Sequence, residues 1–247
     1  MSEWAREYFE LGYAQRWGLP PVTDRIRREA SGLWGHLQLH PGSRVVDLGC
    51  GHGRHALALA ERGADVVGVD SAVALLRRAQ RLSSELRVDA HWVRGDMRRL
   101  PLLSESCAAA ISIDAFGFFE AEEENDGVLA EAARALVPGG RLGLKVVNGS
   151  VILANFRTDD RKEREGTVVT ISRTLTLEPA RMIERIEVTG SGVSGRYTRH
   201  QRLYRPEELC AVVERAGLSV AGVFGDALGA AFEPASSPTI WVIGQRE

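Results

Sequence analysis

The chain has 247 residues, of which 31 are Lys or Arg and 33 are Asp or Glu, so its formal net charge is -2. This length allows one large α/β domain with a full core, and the near-zero charge gives no support to nucleic-acid binding through bulk charge. The three cysteines lie far apart and lack metal-ligand spacing, which predicts no metal site and suits a reducing cytosol.

No apolar run in the chain approaches the ~20 residues of a membrane span. The first residues, MSEWAREYFELG, carry acids and lack the apolar core of a signal peptide. We therefore expect a cytoplasmic protein without a membrane partner.

Residues 1–40 are expected to form a helical cap in front of the first strand. Aromatic residues among charges predict a short amphipathic helix over residues 3–18, which Pro20 and Pro21 end. A second helix is predicted from Thr23, and its apolar stripe consists of Val22, Ile26, Ala30, Leu33 and Leu37.

Residues 41–160 alternate between Val-, Leu- and Ile-rich strands and helical patterns, which predicts a parallel sheet buried on both faces. The predicted strands are 44–48, 65–69, 88–93, 108–113 and 141–147. A turn is predicted at Pro138-Gly139-Gly140, and a mixed stretch with a short helix at 149–165.

Residues 161–205 change to period-two alternation, which predicts an antiparallel insertion. The three alternating segments are 167–177, 182–188 and 196–204, with joints at Pro179 and at Gly190, Gly192 and Gly195. Residues 206–247 add a helix from Pro206 and two strands, 220–224 and 239–244. We predict a single domain of the α/β class, with a doubly wound, mostly parallel seven-stranded sheet, helices on both faces, N-terminal helices and an inserted antiparallel sheet.

A glycine turn follows the first strand, where Gly49, Gly51 and Gly53 have the spacing G-x-G-x-G. This differs from the G-x-G-x-x-G of dinucleotide-binding folds, and no P-loop Lys-Ser/Thr follows it. Asp47, just before the turn, would repel a pyrophosphate and attract an ammonium or sulfonium. The turn therefore favours a cationic nucleoside cofactor over a dinucleotide, and a tight turn without a ligand is the alternative.

Two further acids end the second and third strands. Asp70 can accept hydrogen bonds from both hydroxyls of a ribose, or it can cap the next helix together with Ser71. Asp96 can accept a hydrogen bond from an adenine amine while Met97 packs on the ring, or it can be a loop carboxylate beside two arginines. The three acids point to the crevice where open α/β sheets bind ligands.

Together these segments resemble the class I S-adenosylmethionine-dependent methyltransferases. VVDLGCGHGRH resembles their first motif, VVGVD the second, RGDMRRLP the third, AAISIDAFGFF the strand-four motif, and LVPGGRLGLKV the segment leading into strand five. The resemblance is strong over about residues 40–148. NGSVILANFR, the alternating insert and LYRPEELCAVVERAGL also resemble small-molecule methyltransferases with an antiparallel insertion after strand five.

The resemblance implies S-adenosylmethionine as the cofactor. The glycines would line its methionine part, the acids would bind its amino group, ribose and adenine, and the end of strand four would bound the methyl-transfer chamber. The residues implied to bind the cofactor are Asp47, Gly49, Gly51, Gly53, Asp70, Ser71, Asp96, Met97 and Ile113.

Two residues are candidates for catalysis. Asp114 follows strand four and is expected to act as a base or as a positioning residue. His200 lies on the last inserted strand, which could fold over the site, or it is a surface histidine.

We expect methyl transfer to an amine, hydroxyl or activated carbon of a small molecule, without a nucleic-acid partner. An RNA or protein methyltransferase is the alternative, followed by a nicotinamide-dependent oxidoreductase and a non-catalytic binding module. The exposed edges of the inserted strands predict a homodimer.

Overall fold

Two β-sheets organise the chain, of which the computed structural model describes residues 4, 7–13, 22–164, 166–190 and 193–247. The strands are Arg44–Leu48 (β1), Asp65–Asp70 (β2), His91–Arg94 (β3), Cys107–Ile113 (β4), Leu136–Val147 (β5), Asp159–Arg164 (β6), Thr167–Leu177 (β7), Ala180–Gly190 (β8), Val193–Arg202 (β9), Leu218–Phe224 (β10) and Thr239–Arg246 (β11). The larger sheet has the spatial order β10-β11-β5-β4-β1-β2-β3, and the second sheet has the order β6-β7-β8-β9.

Helices cover the larger sheet and precede it. They are Asp24–His36 (α1), Arg54–Ala60 (α2), Val73–Leu86 (α3), Glu122–Ala135 (α4), Gly149–Ala154 (α5) and Pro206–Arg215 (α6), and a π-helical segment, Tyr8–Gly12, comes before them. The helix predicted over residues 3–18 is described only around this segment, and Pro20 and Pro21 lie outside the described residues.

The larger sheet is parallel from β3 to β5, β11 runs antiparallel to β5, and β10 pairs antiparallel with β11. The carboxyl ends of β1, β2 and β4 therefore lie side by side at one edge of the sheet. All strand pairs of the second sheet are antiparallel. The predicted fold class is confirmed.

Both faces of the larger sheet are buried, because side chains alternate along each strand. Val45 packs with Ile26 and Leu57 on the side of α1 and α2. Val46 packs with Leu129 and other side chains on the side of α4 and α6. Burial of one such side chain contributes about 1.5–3 kcal/mol.

The predicted apolar stripe of α1 is confirmed, since all five of its residues are buried. Thr23 begins this helix, and its side chain accepts a hydrogen bond from the backbone of Ile26 at 3.4 Å. On the same helix, Glu29 lies 2.8 Å from Nε2 of His55, which ties α1 to the start of α2.

Two local predictions were wrong. The insertion has four strands, because β6 forms where a mixed stretch was expected, and its residues DDRKER are all charged and show no period-two pattern. Pro138-Gly139-Gly140 is an irregularity inside β5, because Cys107 pairs with Leu136 and Ala109 already pairs with Arg141. Gly192, predicted at a joint, lies outside the described residues.

Gly68 of β2 offers a test of this packing. An added Cβ would lie 2.5 Å from Trp92 and 2.9 Å from the Cys50 sulfur. We expect Gly68→Ala to lower the free energy of unfolding by about 1–3 kcal/mol through overpacking, measured by chemical denaturation. The control is Gly127→Ala in α4, where an added Cβ meets nothing within 4 Å. It is expected to raise the free energy of unfolding by about 0.5–1 kcal/mol, and equal effects of the two substitutions would contradict the packing.

Candidate functional site

The glycine turn is held against the end of β2 by its backbone. The N–H groups of Gly49 and Cys50 donate to the carbonyl of Val69 at 2.9 and 3.2 Å. Gly49 has φ +69°, and a Cβ there would lie 2.6 Å from the Cβ of Ala115. A side chain at this position would be strained by the positive φ and would clash with Ala115, so the turn requires glycine here.

A cleft opens beside this turn at the carboxyl ends of β1, β2 and β3, and we name it the glycine-loop cleft. It brings together all the predicted cofactor-binding residues except Gly53: Asp47, Gly49, Gly51, Asp70, Ser71, Asp96, Met97 and Ile113. Gly53 instead precedes α2, and a Cβ on it would lie 2.4 Å from Trp92. His52 is buried and also lines the cleft.

Asp70 connects the glycine turn to the start of α3. One of its carboxylate oxygens accepts a hydrogen bond from the backbone of Gly51 at 2.8 Å, and the other accepts one from Ala72 at 2.8 Å. Ala72, rather than the predicted Ser71, is the N-cap of this helix. Burial raises the pKa of Asp70, although these hydrogen bonds oppose the shift.

Asp47 is the most deeply buried acid of the cleft, at 3% exposure. Burial, followed by the nearby charge of Asp70, raises its pKa to about 7, while a hydrogen bond from the backbone of Ala56 and the charge of Arg54 oppose the shift. A positive ligand beside Asp47 would stabilise its charged form. The cleft is therefore suited to a cationic ligand at this end.

Asp96 lies at the other end of the cleft in contact with Arg98. Its carboxylate accepts hydrogen bonds from the backbone and side chain of Arg98, the shortest at 2.6 Å, and these bonds lower its pKa. Hydrogen bonds from Arg98 reach both carboxylate oxygens of Asp96, so a ligand that binds this carboxylate must share them with the guanidinium. Met97 is half-buried beside it and lines the cleft.

Residues 7–13, which we name the N-terminal segment, form the outer wall of the cleft. Phe9 and Tyr13 line it, and the Tyr13 ring lies 6.5 Å from the ring of His52. The Glu10 carboxylate accepts hydrogen bonds from the backbone of Val73 and Ala74 at 2.9 and 3.0 Å, at the positive end of α3. Sequence reasoning missed Glu10, because capping by a residue far away in the chain leaves no local signal.

A second cavity adjoins the cleft, and we name it the inter-sheet cavity. It has a volume of about 600 Å³ and lies between the N-terminal segment, α5 and the second sheet. Phe9, Tyr13, Arg54, Asp114 and Phe118 line both spaces, so they mark the opening between them.

Asp114 stands at this opening with φ +58°, an uncommon conformation outside glycine. Its carboxylate accepts a hydrogen bond from the Lys145 ammonium at 2.8 Å, and Lys145 is buried in β5. Sequence reasoning missed Lys145, although a single lysine within an apolar strand was a usable signal. The half-buried Arg54 has no hydrogen bond or ion pair within the described part of the chain.

The structure does not bring His200 to the other predicted residues. Its ring stacks on Trp4 with a centroid distance of 4.9 Å, and it lines neither the cleft nor the inter-sheet cavity. It pairs across strands with Ile183, whereas its neighbour Arg199 lines the inter-sheet cavity. Burial lowers the pKa of His200.

Within the described ranges, no cluster of three or more His, Cys, Asp or Glu side chains is placed to hold a metal ion. In the same ranges, no helix has the length and apolar character needed to cross a membrane.

Comparison with known proteins identifies the core. Residues 45–140 match the family model described as a methyltransferase domain. Over 97% of both chains, the fold is shared with the CcbJ methyltransferase from Streptomyces caelestis, with a TM-score of 0.82 and 19% identity. The predicted resemblance to class I S-adenosylmethionine-dependent methyltransferases is confirmed.

Two curated relatives differ in how much of the chain they match. A cypemycin N-terminal methyltransferase from Streptomyces sp is 28% identical over 82% of this chain and 83% of its own length. An S-adenosyl-L-methionine-dependent Diels-Alderase, iccD from Talaromyces variabilis, is 34% identical over 52% of this chain and 44% of its own length. The chain spans about half of the length of several other curated relatives that it matches.

The raised pKa of Asp47 predicts how cofactor binding depends on pH. Since the free carboxyl titrates near pH 7 and a bound cation favours its ionised form, the affinity for S-adenosylmethionine should rise between pH 6 and 8, by at most about tenfold per pH unit. Calorimetry at pH 6, 7 and 8 measures this slope.

Asp47→Asn is the control for this slope, because it keeps the shape of the side chain and removes its titration. Any slope that remains in this variant belongs to other groups, such as the amine of the cofactor. Equal slopes in the variant and the parent protein would show that Asp47 does not contact the charged part of the ligand.

Proposed function

From the premise that this chain contains a class I S-adenosylmethionine-dependent methyltransferase domain, we propose that it transfers a methyl group from S-adenosylmethionine to a small-molecule acceptor. The observation that carries the proposal is the convergence of Asp47, Asp70 and Asp96 on one cleft that opens at Asp114 into the inter-sheet cavity. The first space suits a cofactor, and the second suits an acceptor.

The residues of the glycine-loop cleft fit the cofactor from end to end. Asp47 would face the amino group, and Asp96 with Met97 would face the adenine. Asp70 would bind the ribose, because it lines the cleft and its carboxylate keeps acceptor capacity beyond the backbone hydrogen bonds that it accepts. Arg54 would pair with the carboxylate of the methionine part, since this guanidinium has no other ion pair within the described ranges.

The bound cofactor would supply a methyl group on a positively charged sulfur, so the protein mainly has to hold the acceptor in line. Such positioning contributes up to about 7–11 kcal/mol. Phe9, Tyr13 and Phe118 enclose the opening and would exclude water from it. Asp114 would orient the acceptor nucleophile and accept its proton where one is lost, while Lys145 fixes the position of the carboxylate.

The acceptor group is an amine, a hydroxyl or an activated carbon in this proposal. The relative named as a cypemycin N-terminal methyltransferase supports an amine. The enclosed cavity and the net charge of -2 support a small molecule over RNA or a protein. The G-x-G-x-G spacing and the buried Asp47 disfavour a nicotinamide cofactor.

The assembly and location of the protein stay predictions. The edge strand β6 consists entirely of charged residues, and charge on a sheet edge opposes pairing with another strand. A homodimer through the inserted strands would therefore need the other edge, β9. The three free cysteines support a cytoplasmic location.

Incubation with S-adenosylmethionine that carries a deuterated methyl group tests the proposed activity. We expect release of S-adenosylhomocysteine together with a mass increase in members of a panel of small amines, alcohols and acidic carbon compounds. Tight cofactor binding without methyl transfer to any member would contradict the proposal and favour a reaction that uses the cofactor without transferring its methyl group.

Asp114→Asn tests the role assigned to this carboxylate. We expect kcat to fall by about 100-fold, as for the loss of a group that handles a proton, while the dissociation constant of the cofactor changes less than twofold. The matched control is Asp126→Asn on α4, where the carboxylate forms a surface pair with Arg215 at 3.1 Å. An unchanged kcat in Asp114→Asn would remove this residue from catalysis.

A further inference from the structure

We propose that the methyl acceptor carries an acidic group, a carboxylate or a group of similar charge, and that Arg173 and Arg199 bind this group. The inference rests on the proposed methyl transfer and specifies which acceptors the inter-sheet cavity takes. Both arginines line that cavity, and they lie on the second sheet rather than on the methyltransferase core.

The register of the second sheet places three charged residues in a row across its strands. Arg173 of β7 pairs with Glu184 of β8, and Glu184 pairs with Arg199 of β9. Neighbouring side chains on one face of such a sheet are close enough to contact one another. Nε of each arginine donates to the Glu184 carboxylate, at 2.9 and 2.7 Å. We name these three residues the charged row.

The charged row interrupts a mostly apolar face, on which Gln201 is a further buried polar residue. On one side of it, Ile186 and Val188 pack with Tyr8 of the N-terminal segment. On the other side, Met182 packs with Phe156 after α5. Glu184 is only 1% exposed, and burial of charges is costly. Apolar residues would have closed this gap at lower cost, so the row is better explained by what it binds than by what it stabilises.

The charge of the row is not balanced. Asp160 also approaches Arg173, at 3.5 Å, but it is shared with Lys162 at 3.6 Å. Within the charged row itself, two guanidiniums face one carboxylate, so its three residues carry one net positive charge. Among the described residues that line the cavity, the acid besides Glu184 is Asp114, which is already paired with Lys145.

Further positive charge lines the same cavity. Arg157 is exposed at its rim and has no ion pair within the described part of the chain. Arg54 stands at the opening to the cleft, where it is assigned to the cofactor. Among the described residues that line the cavity, four arginines face two carboxylates. An anionic acceptor would restore the balance.

The two guanidiniums also have donors to spare. Each guanidinium has five N–H donors in a planar fork, and only a few of them are used by Glu184. An acidic group of the acceptor can therefore receive charge-assisted, bidentate hydrogen bonds without breaking the row.

The cavity has a second polar point at Asp114, where methyl transfer is proposed, and an apolar wall at Ile152, Phe156 and Met182. The acceptor that fits this distribution has its nucleophile at one end, an apolar body, and an acidic group at the other end. Amino acids and hydroxy acids with an apolar body belong to this class.

Glu184→Gln tests the inference, because it should improve binding rather than damage it. The substitution keeps the shape of the side chain and removes the negative charge that competes for both arginines. The probes are phenylacetate and phenylacetamide, which differ only in charge, titrated by calorimetry into the protein saturated with S-adenosylhomocysteine. In the parent protein, we expect the acid to bind at least about tenfold more tightly than the amide.

In Glu184→Gln we expect a further gain of at least about threefold for phenylacetate and no gain for phenylacetamide. The control is Glu187→Gln, which removes an exposed carboxylate from the same strand, where it pairs with Arg196 at 2.9 Å, and should leave both affinities unchanged. Arg199→Gln should abolish the preference for the acid while S-adenosylhomocysteine binding, which reports an intact core, is retained.

Equal affinity for the acid and the amide in the parent protein would overturn the inference, and so would an absence of binding by both probes. Persistence of the acid preference in Arg199→Gln would equally remove this residue from the site. None of these titrations requires turnover. A protein that prefers acids but transfers no methyl group would therefore contradict the proposed function alone.

Discussion

The carboxylate of Asp70 is the constraint on which the site depends, because it joins the loop after β1 to the loop after β2. By accepting from Gly51 and from Ala72, it holds the glycine turn of β1 against the first turn of α3. The backbone N–H groups of Gly49 and Cys50 also donate hydrogen bonds to the carbonyl of Val69, which hold the same turn against β2. The end of β2 therefore sets the shape of the glycine-loop cleft. Asp70, which is proposed to bind the ribose, also holds together the two loops that form the wall of this cleft.

This arrangement buries the carboxyl groups of Asp47 and Asp70. In the protein without ligand, ionisation of either group therefore costs free energy. The folded pKa of Asp47, about 7, lies above its ordinary value near 4. Its contribution to stability is complete below pH 4 and is lost as the pH rises through 7, since the charged form is disfavoured by burial. A bound cation would reverse this cost. Binding of a positively charged ligand would thus recover stability that the free protein lacks at neutral pH, as expected of a functional site.

The parts of the site that could be predicted from sequence are the residues whose position depends only on the end of a single strand. Asp47, Asp70 and Asp96 each lie at or just after the carboxyl end of a recognisable strand, so the sheet order alone brings them to one cleft. The parts that could not be predicted depend on pairing between distant segments. Glu10 caps α3 across the chain, Lys145 reaches Asp114 from the neighbouring strand, and the charged row exists only because of the register of β7, β8 and β9. That same register directs His200 away from the cavity.

The N-terminal segment links the two halves of the proposed reaction. Tyr8 is buried against the second sheet, Glu10 caps α3 beside the cofactor cleft, and Phe9 and Tyr13 line both spaces. The N-terminal segment is therefore a wall of both the glycine-loop cleft and the inter-sheet cavity. A change in its position that widens one space must alter the other. The second sheet supplies the opposite wall of the inter-sheet cavity. In the proposed reaction, residues outside the methyltransferase core would therefore determine which acceptor binds, while the core would bind the cofactor and position the methyl transfer.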